Sequence, residues 1–382
     1  PTGRANGLLR RRLRSLLPLC KRKSMNRDNP EHIYMQAPVC PIPHRHTETV
    51  VIGHGSGGQM TRDLIQNVFQ SQLGNKYLAE GNDAARVKLA QTEGQIAIST
   101  DSHVVSPLFY PGGDIGRLAV CGTVNDVAML GAQPQFLTAG FIIEEGFPMQ
   151  DLEKIIASMA KACREADVQI VAGDTKVVEK GSADGLFITT AGFGLIPDGR
   201  EIGGQFARSG DDVLISGTLG DHGIAVLQAR GELGFESNIT SDLAPLNSMI
   251  EKLLVEIPQV HVLRDPTRGG LATTLKEIAC QSQVSIQLEE EAIPVRREVQ
   301  TACEMLGFDP LYLANEGKVI VILPEASSEK ALEIMRKSPY GTMATRIGSV
   351  FRENPTQVLL KTAFGSTRML DMLSGELLPR IC

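Results

Sequence analysis

The sequence predicts a mixed α/β protein of two folded domains. At 382 residues the chain exceeds one typical domain, and its 42% hydrophobic share is ample for a packed core. Short β-branched runs alternate with apolar residues at helical spacing on both sides of a stretch at 198–212 that is rich in Gly and charge and reads as a linker.

Each element has its own signal. Thr49-Val50-Val51-Ile52 predicts a strand that enters the glycine loop Gly53-His54-Gly55-Ser56-Gly57-Gly58, and Met60, Leu64, Ile65, Val68 and Phe69 predict the helix after it. Strands follow at 95–100, 135–143, 168–172 and 186–196, with helices at 115–130 and 149–166. Beyond the linker, strands are expected at 213–216, 284–288 and 319–323. The expected units are 47–205, 206–370 and a mobile tail at 371–382, whose last nine residues carry neither a helical nor an alternating pattern.

Residues 1–46 look foreign to the rest of the chain and read as a disordered extension or a mis-assigned start, with Met25 or Met35 as alternative beginnings. An Arg-rich, acid-poor organellar address is the competing reading. The first 24 residues hold eight Lys or Arg and no acid, so the net charge of −6 becomes about −14 without them. An acidic body binds a polyphosphate well only where cations and local N–H groups offset the repulsion, so a nucleotide site here calls for Mg²⁺.

Aromatic residues make up 4% of the chain and Trp is absent, which argues against stacking on single-stranded nucleic acid. Seven scattered cysteines without a C-x-x-C pair argue against structural zinc and for a reducing compartment, the cytoplasm. No apolar run approaches the roughly 18 residues that a membrane span needs.

The loop 53–58 matches G-x-G-x-x-G, but the next convincing strand ends at Asp101, too late for the acidic residue of a dinucleotide site. Gly55, Ser56, Gly57 and Gly58 then serve either a phosphate or a plain turn. Asp101, Asp126 and Asp174 lie at predicted element ends; each alone suits a cap or turn, while together on one sheet edge they could gather cations that bridge a triphosphate. Lys176 adds a positive group for phosphoryl transfer. Gly220-Asp221-His222-Gly223 and Asp265-Pro266-Thr267-Arg268-Gly269-Gly270 suit helix starts as readily as ligand contacts. Glu316, just before an apolar strand, is the candidate general base, with an ion-pair or helix-end role equally open. Cys382 ends the chain, with Arg380 two residues away to favour its thiolate, so an acceptor thiol is chemically reasonable.

These stretches, namely His54–Gly58, Ser99–Ser102, Cys121–Val127, Gly173–Lys176, Ser216–Gly223, Asp265–Gly270, Ala314–Lys318 and the ending Pro379-Arg380-Ile381-Cys382, together resemble the HypE family of hydrogenase maturation factors from about residue 49 to the end. Many of the motifs are shared with aminoimidazole ribonucleotide synthetase and selenophosphate synthetase; the ending is specific to HypE. The resemblance implies a two-domain aminoimidazole ribonucleotide synthetase-like fold whose N-terminal sheets pair into a barrel in a homodimer. It implies ATP and Mg²⁺, with Asp101, Asp126 and Asp174 at the metal and phosphates and with Lys176 and Glu316 assisting the chemistry. His54, Asn125, Asp221, His222 and Arg268 are further nucleotide-site candidates. The implied activity is ATP-dependent dehydration of a carboxamide on Cys382 to a thiocyanate, with a carbamoyltransferase and an iron-binding scaffold as partners. A selenide or purine-precursor synthetase is the rival within the superfamily, although the loop at 54–58 lacks the cysteine that selenide chemistry needs; a non-enzymatic carrier using Cys382 is the rival outside it.

Overall fold

The computed structural model describes residues 48–56, 59–79, 87, 94–231, 233–234, 238–373, 378 and 380–382. The expectations for 1–46, Gly57, Gly58 and Pro379 therefore lie outside the described residues.

The predicted strand at 49–52 reduces to a single bridge between Thr49 and Pro148, after which Ile52–Gly55 turns as a 3₁₀ helix. Val50 pairs only with the turn at Gly146 and Phe147, so no ladder forms to extend it. Gln59–Leu64 (α1), a π-helical turn at Ile65–Phe69, Gln70–Leu73 (α2) and Lys76–Ala79 (α3) follow.

Four strands, Gln95–His103 (β1), Gln133–Glu144 (β4), Gln169–Val178 (β5) and Leu186–Ile196 (β6), build a sheet in the order β1-β6-β4-β5. A small hairpin, Phe109–Tyr110 (β2) with Gly113–Asp114 (β3), leads into Ile115–Met129 (α4). Asp114 caps that helix by accepting from the backbone of Gly116 and Arg117 at 2.8 and 3.0 Å. Helix α4 is apolar nearly all round because it is buried between this sheet, Met149–Ala166 (α5) and the second half of the chain. The face of the sheet away from α4 leaves Ile96, Ile98 and Ile142 at 54%, 63% and 43% exposure.

The second sheet has seven strands: Asp211–Ile215 (β7), Val262–Arg264 (β8), Ser285–Glu289 (β9), Ile320–Pro324 (β10), Thr345–Phe351 (β11), Val358–Lys361 (β12) and Thr367–Leu370 (β13), in the order β13-β12-β9-β11-β7-β10-β8. Asp221–Ala229 (α6), Asn247–Glu256 (α7), Gly270–Ser282 (α8), Arg297–Leu306 (α9) and Ser328–Arg336 (α10) accompany it. The largest apolar cluster combines α4, α5 and β4 with Ile224, Val226 and Val299 of α6 and α9, and with Leu378 and Ile381 at the chain end. Among the described residues no helix is long and apolar enough to cross a membrane.

Candidate active site

Strand alternation decides where the candidate carboxylates point. Asp101 pairs with Thr190 in a register row that continues through Ala139, and both of these are buried on the α4 side. There Asp101 meets Asp126 of α4, whose carboxylate accepts from Ser99 at 2.7 Å, and Arg268, whose guanidinium lies 3.8 Å from Asp101. Buried His103 completes this corner, 3.9 Å from Asp101. Asp174 belongs to the neighbouring row with Gly140, Thr189 and Ser102, which faces the other way.

One sheet edge therefore does not gather all three acids, contrary to expectation. Strands β1 and β5 are opposite edges, about 14 Å apart at three strand spacings, and Asp101 and Asp174 occupy opposite faces. Both acids also sit inside their strands rather than after them, because β5 runs on to Val178 in parallel with β4. Asp174 pairs instead with Lys176 at 2.5 Å, and that ammonium holds its exposed carboxyl below the usual range. The glycine loop sits at this second edge: a Cβ on Gly55 would lie 2.6 Å from the backbone N of Val177, so only glycine allows the contact. His54 is buried and its Nδ1 accepts from Val51 N at 3.0 Å, while Ser56 donates to Gly53 O at 2.9 Å, so both side chains shape the loop itself.

At the β1 edge the acids crowd. Partly buried Asp265 is pushed up to about 7 by loss of solvent and then by Asp126. Asp126 is raised by burial, against the bond from Ser99. Glu316, 5% exposed, is raised well above the usual carboxylate range by burial, then by Asp265 and Asp242, and its Oε1 has no hydrogen-bond partner among the described residues. Such a site lowers its energy by taking in cations. Among the described residues no three His, Cys, Asp or Glu side chains form a ready metal cage. The crowded acids suit a hard divalent cation with oxygen ligands.

The end of the chain enters this cleft. Val104 N donates to Cys382 O at 3.3 Å and Ser106 N to Arg380 O at 3.1 Å, so the terminus runs antiparallel to the segment after β1. Ile381 is 4% exposed and Leu378 8%, both in the main core. Burial of one such side chain contributes about 1.5–3 kcal/mol. Several hydrogen bonds at about 1 kcal/mol each add to it. Fixing each residue costs about 1–2 kcal/mol, which offsets much of this gain. Partly buried Cys382 is the foremost cause that raises Arg268, and it adds to the upward push on buried Tyr110. Arg268 is thus a cation within electrostatic reach of the terminal residue; Arg380, expected in that role, pairs with Asp184.

Three other expected nucleotide residues make bonds within the chain. Asn125 bridges α4 to Ala244 O and Glu316 O and accepts from Leu246 N at 2.8 Å. Asp221 accepts from Thr218 at 2.5 Å and faces Arg296 at 3.3 Å. His222 has Ser241 on Nδ1 at 2.9 Å and Ile381 O on Nε2 at 2.8 Å, and burial pushes its pKa down. The neutral tautomer that donates from Nε2 satisfies both bonds.

Sequence reasoning passed over Asp242 and Lys318. Asp242 accepts from the backbone of Glu316 and Gly317 at 3.1 and 3.3 Å and from Lys318 Nζ at 2.9 Å. Burial raises its carboxyl, but Lys318, His222 and these donors prevail and hold it low. It lies in a loop with no periodic signal, and only its mate Lys318, two residues after Glu316, hinted at a buried counter-charge.

Two family models cover most of this architecture: AIR synthase related protein, N-terminal domain, over 81–196, and its C-terminal domain over 208–361. The sheets and the acidic cleft between them thus define a member of the AIR synthase related proteins. The chain is 53% identical to carbamoyl dehydratase HypE of Azotobacter vinelandii, over 87% of this chain and 97% of that one. It is 46% identical to carbamoyl dehydratase HypE of Escherichia coli K12, over 87% and 99%. A crystal structure of hydrogenase maturation protein HypE in complex with ATP superposes with a TM-score of 0.84 at 52% identity, covering 87% of this chain and all of that one. A HypE–HypF complex gives 0.71 at 53% identity over 81% and 99%. Within the AIR synthase related proteins, the chain belongs to the HypE family.

Proposed function

We propose that this chain is an ATP-dependent carbamoyl dehydratase acting on its own terminus, in the cytoplasm, where a thiol stays reduced. It converts a carboxamide on Cys382 Sγ into a thiocyanate that supplies the cyanide ligands of the [NiFe]-hydrogenase iron centre. The observation that carries the reading is the pairing of the chain end with Val104 and Ser106, which brings Cys382 within electrostatic reach of Arg268, in a cleft where buried Glu316 Oε1 lacks a partner among the described residues.

A carboxamide expels hydroxide poorly, so its oxygen must first become a better leaving group. Attack of that oxygen on the γ-phosphorus of ATP forms a C–O–P link and releases ADP, with one N–H proton lost. Loss of the second N–H proton as the C–O bond breaks gives S–C≡N and inorganic phosphate. Glu316 is the base for these protons, and its raised affinity for protons suits that role. Asp101 and Asp126, with Asp265 beside them, would hold Mg²⁺, which would supply positive charge against the phosphates. Arg268 and Lys176 stabilise the transferring group.

Asp174, Lys176 and the loop at 53–56 lie across the sheet from Asp101, so a complete site takes these groups from a second copy in a homodimer. The exposed Ile96, Ile98 and Ile142 support pairing through that open face. A carbamoyltransferase loads Cys382, and an iron-binding scaffold accepts the cyano group; the solved HypE–HypF complex of a 53% identical relative supports a protein partner. Intact mass of the C-terminal peptide after incubation with the carbamoyl donor system and ATP tests the reading. It requires gain of a carboxamide and then loss of water; a loaded Cys382 that never loses water removes it.

A further inference from the structure

We propose that Arg230 and His222 are positioning residues that hold the chain end docked by its main-chain carbonyls, so that backbone register sets where Cys382 lies. The inference rests on the dehydratase reading and extends it to residues outside the reacting groups.

The two residues stand at opposite ends of α6, about 12 Å apart along its axis. At the C-terminal end, Arg230 donates from Nε to Ser106 O at 2.7 Å and from Nη2 to Arg380 O at 2.8 Å. One guanidinium thus ties the tail to the strand segment it pairs with. At the N-terminal end, His222 Nε2 meets Ile381 O at 2.8 Å, its other nitrogen braced by Ser241 and its ring edge-on to Tyr110. Consecutive carbonyls of the tail can reach partners on different sides because Arg380 adopts a left-handed backbone, φ 54°. A left-handed non-glycine residue persists where its surroundings hold it, and here one buried donor, His222, and one half-buried donor, Arg230, do so.

The pairing fixes register as well as attachment. Cys382 O lies on Val104 N and Arg380 O on Ser106 N, so the terminal residue stops three positions beyond Asp101 along the same chain segment. A slip by one residue would turn the cysteine to the other side of the pair. These contacts use main-chain atoms of the tail, so they remain available when Sγ carries a carboxamide.

The test separates docking from folding and from chemistry. In the full chain, alkylation of Cys382 by iodoacetamide, read by peptide mass, should rise about tenfold in Arg230→Met and His222→Leu. Dehydration of already loaded Cys382 should fall by a similar factor, while loading by the carbamoyltransferase holds or rises. His222→Gln keeps a donor toward Ile381 O and should restore most of the dehydration rate. Unchanged alkylation in both folded variants would overturn the proposal, as would a parallel fall of loading and dehydration with no gain in alkylation. If the wild-type chain never loses water, the dehydratase reading fails while the alkylation comparison still decides the role of Arg230 and His222.

Discussion

Asp242 holds the backbone of Glu316 and at the same time raises the cost of its charge. The Asp242 carboxylate accepts from Glu316 N at 3.1 Å and is neutralised mainly by Lys318, so it stays ionised in the core. Glu316, whose Oε1 has no such donor among the described residues, has its affinity for a proton raised by burial instead. Two neighbouring acids thereby receive opposite shifts in proton affinity from their surroundings, the arrangement that separates a fixed anchor from a working base.

Glu316→Gln should stall the reaction at the carboxamide, slowing dehydration about 10²–10⁴-fold while loading continues. The folded state binds the Glu316 proton more tightly than the unfolded chain, so its contribution to stability is complete below the usual 4.5 and is lost as pH rises above that value. The variant should accordingly gain thermal stability over wild type as pH climbs from 4.5 toward 8. A melting-point difference that stays flat with pH would show that the carboxyl is not protonated in the fold.

Asp265→Asn gives a narrower window. Its carboxyl moves from the usual 3.8 to about 7, so the wild-type chain loses stability between those two pH values, most of it regained by removing the charge. Partial exposure tempers the gain to a few degrees at pH 8, with none at pH 3. Mg²⁺ with ATP should raise the wild-type melting point more than the variant's, because the cation relieves the same crowding.

Pairing of Asp101→Asn with Lys176→Met tests the two-copy site. Each variant alone should lose most dehydration activity, while a mixture allowed to exchange subunits should recover up to about a quarter of it through intact hybrid sites. Equal inactivity of mixture and single variants, with hybrids present, would place both residues in one chain's site.

Gly317→Ala should unseat the base. An added Cβ would stand 1.8 Å from Asp242 O, so the loop that presents Glu316 must shift, at a cost of about 2 kcal/mol or more. Dehydration should fall nearly as far as in Glu316→Gln, with a lowered melting point rather than a raised one.

What could be read from the sequence depends on physical locality. The helix expected at 149–166 is the observed Met149–Ala166, because its apolar stripe and charged face are written within one element. The strand expected to stop at Ala172 continues through Asp174 and Lys176, since the parallel partner β4 extends it and no local pattern reports a partner. Asp101, Asp126, Glu316 and Cys382 could be singled out by type and neighbours, and the β1-edge cleft joins them. The far side of the sheet, where Asp174 and Lys176 sit, depends on strand order, which periodicity does not encode. Asp242 is likewise invisible until tertiary contacts bring it to Glu316.

The antiparallel seating of Arg380 and Cys382 on Ser106 and Val104 keeps the proposed reacting group, itself part of the polypeptide, at the cleft. Dilution then leaves the encounter between amide and cleft untouched, because the covalent link supplies a constant local concentration. On the proposed reading, each loaded molecule would perform the conversion once before an acceptor emptied it, so the flow of cyano groups would follow the number of protein molecules and the speed of their recharging.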